Sequence, residues 1–144
     1  MKTCNLQTVG MDVKDNELYI GKYSIKELAK EYKTPLYVFD ENNLRNKLDT
    51  FKKYFNSKKV NCHVVYASKA FFAPYLLDIL KEYNMMVDSV SHGDLVMIEN
   101  AKFDFSNVVL HGNYKKEDEL EFAIKKNVGY LVVDSIEELK KIDK

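Results

Sequence analysis

A strand-sized apolar run followed by a helix-sized amphipathic stretch recurs four times from about residue 64 onward. That period restricts the chain to few folds. The runs cover 64–69, 87–91, 108–112 and 130–134, so their starts lie 23, 21 and 22 residues apart. One parallel strand and its crossover helix fit within such a spacing. Between the runs the apolar period turns helical. Tyr75, Leu76, Ile79, Leu80 and Tyr83 form one stripe, and Leu120, Ala123 and Ile124 form another. The strands are mostly apolar on both faces, as in a sheet covered by helices. The pattern predicts an α/β fold, either a (β/α)8 barrel or an open doubly wound sheet. Four units are half a barrel.

Helix starts are marked. Ser24 with Glu27 and Ser135 with Glu138 read as capping boxes, and Ser91 with Asp94 has the same form with a shorter acid. Asp40 predicts the cap of a helix over about 42–55, with Leu44, Leu48, Phe51 and Phe55 on its apolar face. Residues 1–40 stand outside the repeat as a leader, and 41–144 form the barrel part. In the leader, Leu18 to Tyr23 reads as strand and turn, and Ser24 to Tyr32 as a short helix. Thr34-Pro35 breaks that helix, and Leu36 to Phe39 reads as a further strand. The chain stops at Lys144 within a helical stretch from Ile136 to Ile142, which reads as the front part of a longer protein. The leader is then expected to pack on something later in that protein.

Charge narrows the functional classes. Lys and Arg total 22, as do Asp and Glu, and a net charge of zero argues against non-specific nucleic-acid binding. Paired lysines such as Lys115-Lys116 have acids nearby and read as solvated helix faces. No apolar stretch approaches the ~20 residues of a membrane helix. Met1 to Asn5 lacks the apolar core of a signal peptide, so a cytoplasmic location is expected. Cys4 and Cys62 read as free thiols. His63, His92 and His111 are too dispersed for a metal site by spacing.

The chemistry should gather at the carboxyl ends of the strands. Those ends read Ser68-Lys69, Ser91-His92-Gly93, His111-Gly112-Asn113 and Asp134-Ser135. Lys69 closes an apolar strand, where a desolvated amine suits Schiff-base chemistry, although such a lysine can also snorkel into water. Asp88 lies inside a strand and needs a partner, for which Lys69 on the neighbouring strand is the candidate. Strict alternation puts Val65, Ala67 and Lys69 on one face. Ser91 and Ser135 can serve as caps alone, and His111 as a satisfied core histidine.

With these residues in view, the chain resembles the diaminopimelate decarboxylases, pyridoxal-phosphate enzymes of the alanine-racemase-like barrel class. The match is carried by Glu17-Leu18-Tyr19-Ile20-Gly21, Thr34 to Asp40, and Val65-Tyr66-Ala67-Ser68-Lys69-Ala70. It continues through Val87 to Leu95, Val109-Leu110-His111-Gly112-Asn113-Tyr114-Lys115, and Val133 to Leu139. The resemblance implies a partial (β/α)8 barrel whose leader packs on a C-terminal β domain. It implies that Lys69 carries pyridoxal 5'-phosphate covalently, with Asp88 beside the cofactor and His111 near its edge. It implies a carboxy-lyase that turns meso-2,6-diaminopimelate into L-lysine, acting as a homodimer without nucleic-acid or membrane partners. Relatives usually have glutamate at Asp94, often glycine at His92 and commonly valine at Ser68.

The family's glycine-rich phosphate loop lies on later strands, and this chain has only five glycines. The acid that meets the pyridine nitrogen and the thiol of the C-terminal domain are likewise not matched. The chain alone is therefore expected to bind the cofactor weakly and not to turn over. Three alternatives stand beside this reading. One is a decarboxylase for ornithine, arginine or carboxynorspermidine. Another is a non-catalytic half-barrel that regulates other subunits, and the third is an open α/β binding module.

Overall fold

The structure, a computed structural model, describes residues 10–55 and 60–143. The chain forms two compact units, Met1–Tyr54 and Phe55–Lys144. Cys4 lies outside the described residues.

The first unit holds an antiparallel meander of β1 (Met11–Lys14), β2 (Glu17–Ile20) and β3 (Tyr23–Ser24). Asp15 and Asn16 turn β1 into β2 with φ of 49° and 64°, the left-handed pair a two-residue hairpin needs. Helix α1 (Ile25–Tyr32) starts at Ser24, whose Oγ accepts the Glu27 N–H at 3.3 Å. It ends before Thr34-Pro35, as the proline predicts. Leu36 to Phe39 has no ladder partner among the described residues and is not a strand, contrary to the sequence reading. An apolar run becomes a strand only beside another strand. Helix α2 (Glu41–Tyr54) starts where Asp40 Oδ1 accepts the Asn43 N–H at 3.0 Å. Of its expected apolar face only Leu48 is buried, while Phe51 and Phe55 are exposed.

The second unit alternates strand and helix: β4 (Val65–Tyr66), α3 (Pro74–Glu82), β5 (Met86–Ser89), α4 (His92–Asn100), β6 (Val108–Leu110), α5 (Glu117–Lys125), β7 (Tyr130–Leu131) and α6 (Ile136–Ile142). The four strands pair in parallel in the order β4-β5-β6-β7. Neighbours in sequence are neighbours in the sheet, with no reversal of order. That progression is the arrangement of barrel strands and not of a doubly wound sheet, whose order reverses at a switch point.

Register assigns the faces. Tyr66, Val87 and Val108 stand side by side, as do Ser89, Leu110 and Leu131. Val87, Ser89, Val108 and Leu110 are fully buried with Leu76, Leu77, Ile79 and Leu80 of α3, Leu95 and Ile98 of α4, and Leu120 and Ala123 of α5. Burying each of the valine, leucine and isoleucine side chains contributes about 1.5–3 kcal/mol before entropy is counted. The α3 stripe is rotated from expectation: Leu77 is buried and Tyr75 exposed. Ile124 is exposed too. The other sheet face carries Val65, Met86, Asp88, Val109 and Tyr130, and Val65 and Tyr130 are exposed there. Gly129 lets the chain enter β7 against the Phe105–Asn107 turn, donating its N–H to the Phe105 carbonyl at 2.9 Å. A Cβ at Gly129 would fall on the Ser106 carbonyl oxygen.

Candidate active site

Four parallel strands put four βα loops at one sheet edge. After β4 the chain turns at once into a short 3₁₀ segment, Ser68–Ala70, which packs against β5. Lys69 is therefore on a turn and not on the strand, so the expected Val65, Ala67, Lys69 alternation stops at Ala67. Its side chain is exposed, not desolvated at a buried strand end. The amine has no ion-pair partner among the described residues.

Asp88 sits in mid-β5 and is 8% exposed. The expected pairing with Lys69 is not formed. One carboxylate oxygen, Oδ1, accepts the Ser68 N–H at 2.5 Å, and Oδ2 lies 3.0 Å from His111 Nε2. The carboxylate is thus spent on holding the Lys69 turn and the imidazole. An ionised carboxylate only accepts, so His111 presents Nε2–H toward it. His111 continues β6 by one ladder bond, its N–H donating to the Ser89 carbonyl at 2.9 Å. It lies two residues past Val109, on the face Val109 shares with Asp88. Tyr66 is near enough to feel this charge. Burial raises its phenol first, and Asp88 raises it further.

The other two loops are closed by caps that do double duty. Ser91 Oγ accepts the Asp94 N–H at 3.2 Å, while Asp94 Oδ2 accepts the Val90 N–H at 2.9 Å. Ser135 Oγ accepts the Glu138 N–H at 3.1 Å, while Glu138 Oε2 accepts the Asp134 N–H at 2.9 Å. In both, the acid reaches the residue before the cap, one position earlier than a capping box does. Asp94, shorter than glutamate, still completes the bond. His92 leans on Phe122 edge to face, with ring centroids 5.1 Å apart.

Lys115 was expected on a solvated helix face, yet its side chain is only 2% exposed. Its Nζ donates to the Gly112 carbonyl at 2.7 Å and lies 2.7 Å from Glu138 Oε1. That second approach is ionic rather than a well-directed hydrogen bond. Burial pushes the Glu138 carboxyl up, but the Asp134 N–H, Lys115 and Lys141 outweigh it and hold the group below its usual 4.5. The only sequence signal for this pair was its place in the quoted motifs, where Glu138 already had a role as a cap.

Residues 41–144 match the pyridoxal binding domain of the pyridoxal-dependent decarboxylases. The chain belongs to that family. It is 34% identical to the diaminopimelate decarboxylase of Staphylococcus aureus over 137 residues, covering 93% of this chain and 32% of that protein. It is 38% identical to that of Bacillus methanolicus over 126 residues, covering 88% and 29%. The solved diaminopimelate decarboxylase of M. jannaschii in complex with L-lysine superposes with a TM-score of 0.80 at 29% identity, covering 94% of this chain and 32% of that one. The chain spans about a third of the length of these relatives. The expected fold, a partial (β/α)8 barrel, is the one observed, and the sheet holds four of its eight strands.

Family membership makes pyridoxal phosphate the cofactor, and the donor set fits its aldehyde end. Lys69 offers a primary amine without an ion-pair partner, on a turn fixed by a buried carboxylate. Ser68 Oγ is buried and has no hydrogen-bond partner among the described residues, so a polar hydroxyl adjoins that amine. Among the described residues no cluster of three His, Cys, Asp or Glu side chains could hold a metal ion. No described helix is long and apolar enough to cross a membrane.

Proposed function

We propose that this chain is the lysine-bearing half-barrel of a decarboxylase that acts on meso-2,6-diaminopimelate and releases L-lysine. The observation that carries the proposal is the placement of Lys69: an accessible amine at the carboxyl edge of the sheet, with no ion-pair partner, on a turn pinned to Asp88. The names of the relatives, and the lysine in the M. jannaschii complex, support the substrate and product.

Lys69 supplies the attachment point for the cofactor aldehyde. Asp88 holds the Ser68 N–H and so fixes the direction from which the Lys69 stem leaves the turn. His111 is kept in one tautomer by Asp88 and would hold the edge of the bound cofactor. Val65, Val109 and Tyr130 stand on the same sheet face as Asp88 and give the site a largely apolar floor. Bound pyridoxal phosphate supplies the electron sink that the loss of carbon dioxide requires.

We place the barrel part at 41–144, where the family match begins, with residues 1–40 as a leader that packs on a later β domain. The working enzyme is a cytoplasmic homodimer, and this chain alone binds the cofactor weakly without turnover. The test is chemical. The chain is incubated with pyridoxal phosphate, reduced with borohydride and mapped by mass spectrometry. Label on the one peptide containing Lys69 is expected, together with visible absorbance before reduction. A colourless chain that takes up no label would overturn the assignment of Lys69. Normal lysine release by the 144-residue chain would overturn the claim that it needs the rest of the protein.

A further inference from the structure

The mechanism above leaves one buried ion pair without a task. Lys115, in the β6–α5 loop, and Glu138, in the first turn of α6, are 2% and 8% exposed. A buried pair of this kind is often no more stabilising than two apolar side chains would be. Its geometry points to a positional role. Lys115 Nζ holds the Gly112 carbonyl, and Gly112 directly follows His111.

The loop that the pair anchors is an unusual one. Gly112 has φ of 120°, and a Cβ there would sit 3.4 Å from the Val90 carbonyl oxygen, so the β6 exit lies in van der Waals contact with the β5 exit. Tyr114, not a glycine, has φ of 61°. Gly112 takes its φ freely, but a non-glycine residue held in the left-handed region, as Tyr114 is, persists only where its surroundings over-determine it. Lys115 supplies that constraint from inside the loop.

Followed in order, the contacts make one chain across all four strand ends. Asp134 N–H meets Glu138 at 2.9 Å, and Glu138 meets Lys115 at 2.7 Å. Lys115 meets the Gly112 carbonyl at 2.7 Å. His111, next in sequence, meets Asp88 at 3.0 Å, and Asp88 meets the Ser68 N–H at 2.5 Å. Lys69 is the following residue. We propose that Lys115 and Glu138 are positioning residues, which set His111 against Asp88 and through Asp88 orient the Lys69 turn. The link to cofactor binding rests on the assignment of Lys69 above, but the link between the loops does not.

The test separates the two. In the full chain without added cofactor, the Ser68 amide and the His111 ring are followed by NMR in Glu138→Gln, Lys115→Met and Lys115→Arg. Both resonances are expected to shift in Glu138→Gln and Lys115→Met, and to return toward wild type in Lys115→Arg. Glu99→Gln, which breaks the surface pair with Lys126, is expected to leave them in place. If Lys115→Met does not fold, the double variant Lys115→Met/Glu138→Met removes the charges together and gives the same readout. Pyridoxal phosphate affinity, read from visible absorbance, is then expected to fall roughly fivefold or more in Glu138→Gln. Unmoved Ser68 and His111 resonances in a folded Glu138→Gln chain would overturn the inference, as would shifted resonances with unchanged affinity. A wild-type chain that takes up no pyridoxal phosphate overturns the Lys69 assignment instead, and shifted resonances would still establish the linkage.

Discussion

Replacing Asp88 by alanine should unsettle the lysine turn before it affects anything else. The carboxylate gives the Ser68 N–H a charged acceptor at 2.5 Å in a buried setting. Losing such a bond, and leaving the donor buried, costs about 1.5–3 kcal/mol. The contact to His111 adds less, because the imidazole side is 34% exposed and water screens the pair; roughly 0–1 kcal/mol is a fair allowance. The expected loss is therefore about 1.5–4 kcal/mol. For a cooperative unit of roughly 60–100 residues this corresponds to a fall in Tm of about 6–32 °C. Asp88→Asn keeps an oxygen for the Ser68 N–H, but turns an amide donor toward His111 Nε2. The ring must then move its proton to Nδ1, and the expected loss is roughly half as large. Thermal unfolding followed by far-ultraviolet circular dichroism measures both variants. An Asp88→Ala chain that melts within 2 °C, as roughly a tenth of that effect would give, refutes the claim that this carboxylate organises the turn.

Three further outcomes follow from the same geometry. Gly129→Ala forces a methyl group into the Ser106 carbonyl and should cost about 1–3 kcal/mol or more, seen as an early denaturant midpoint; an unchanged midpoint contradicts the close approach. Glu138 has a lower pKa folded than unfolded, so its contribution is present above 4.5 and is lost as pH falls through the folded value. The stability gap between wild type and Glu138→Gln should therefore close on acidification below that pH, and a gap that widens instead would reverse the sign of the argument. Asp88→Asn removes the charge that helps raise Tyr66, so that phenol should titrate at lower pH than in wild type while burial keeps it above 10.0; NMR of the assigned ring reads the change.

The sheet was legible because strands apolar on both faces, recurring near every 22 residues, leave little else to build. The caps at Ser24, Asp40, Ser91 and Ser135 were legible because a short polar side chain next to an apolar run has one common use. Strand β1 was not, since its Met11-Asp12-Val13-Lys14 alternation runs for only four residues, all of them exposed, and Asp15-Asn16 is the added hint of the hairpin. Leu36 to Phe39 misled because composition states a preference while pairing decides a strand. Lys69 and Asp88 were identified as neighbours, but their bond was misread. Alternation was carried past Ala67, where the backbone turns, and the acceptor's true partner was a main-chain N–H that no sequence displays. Lys115 was misread for a different reason. A loop lysine beside a second lysine looks solvated until the fold brings a glutamate from 23 residues later against it.

The linked loops limit how freely this scaffold can be re-engineered. Successive βα segments invite grafting, one cassette at a time, from a cousin with another specificity. Here a graft that imports the segment around position 111 without its counterparts at 88, 115 and 138 would arrive with mismatched ends. Changes at those four positions should be non-additive, and recombinants that exchange them as a block should outperform those that exchange them singly.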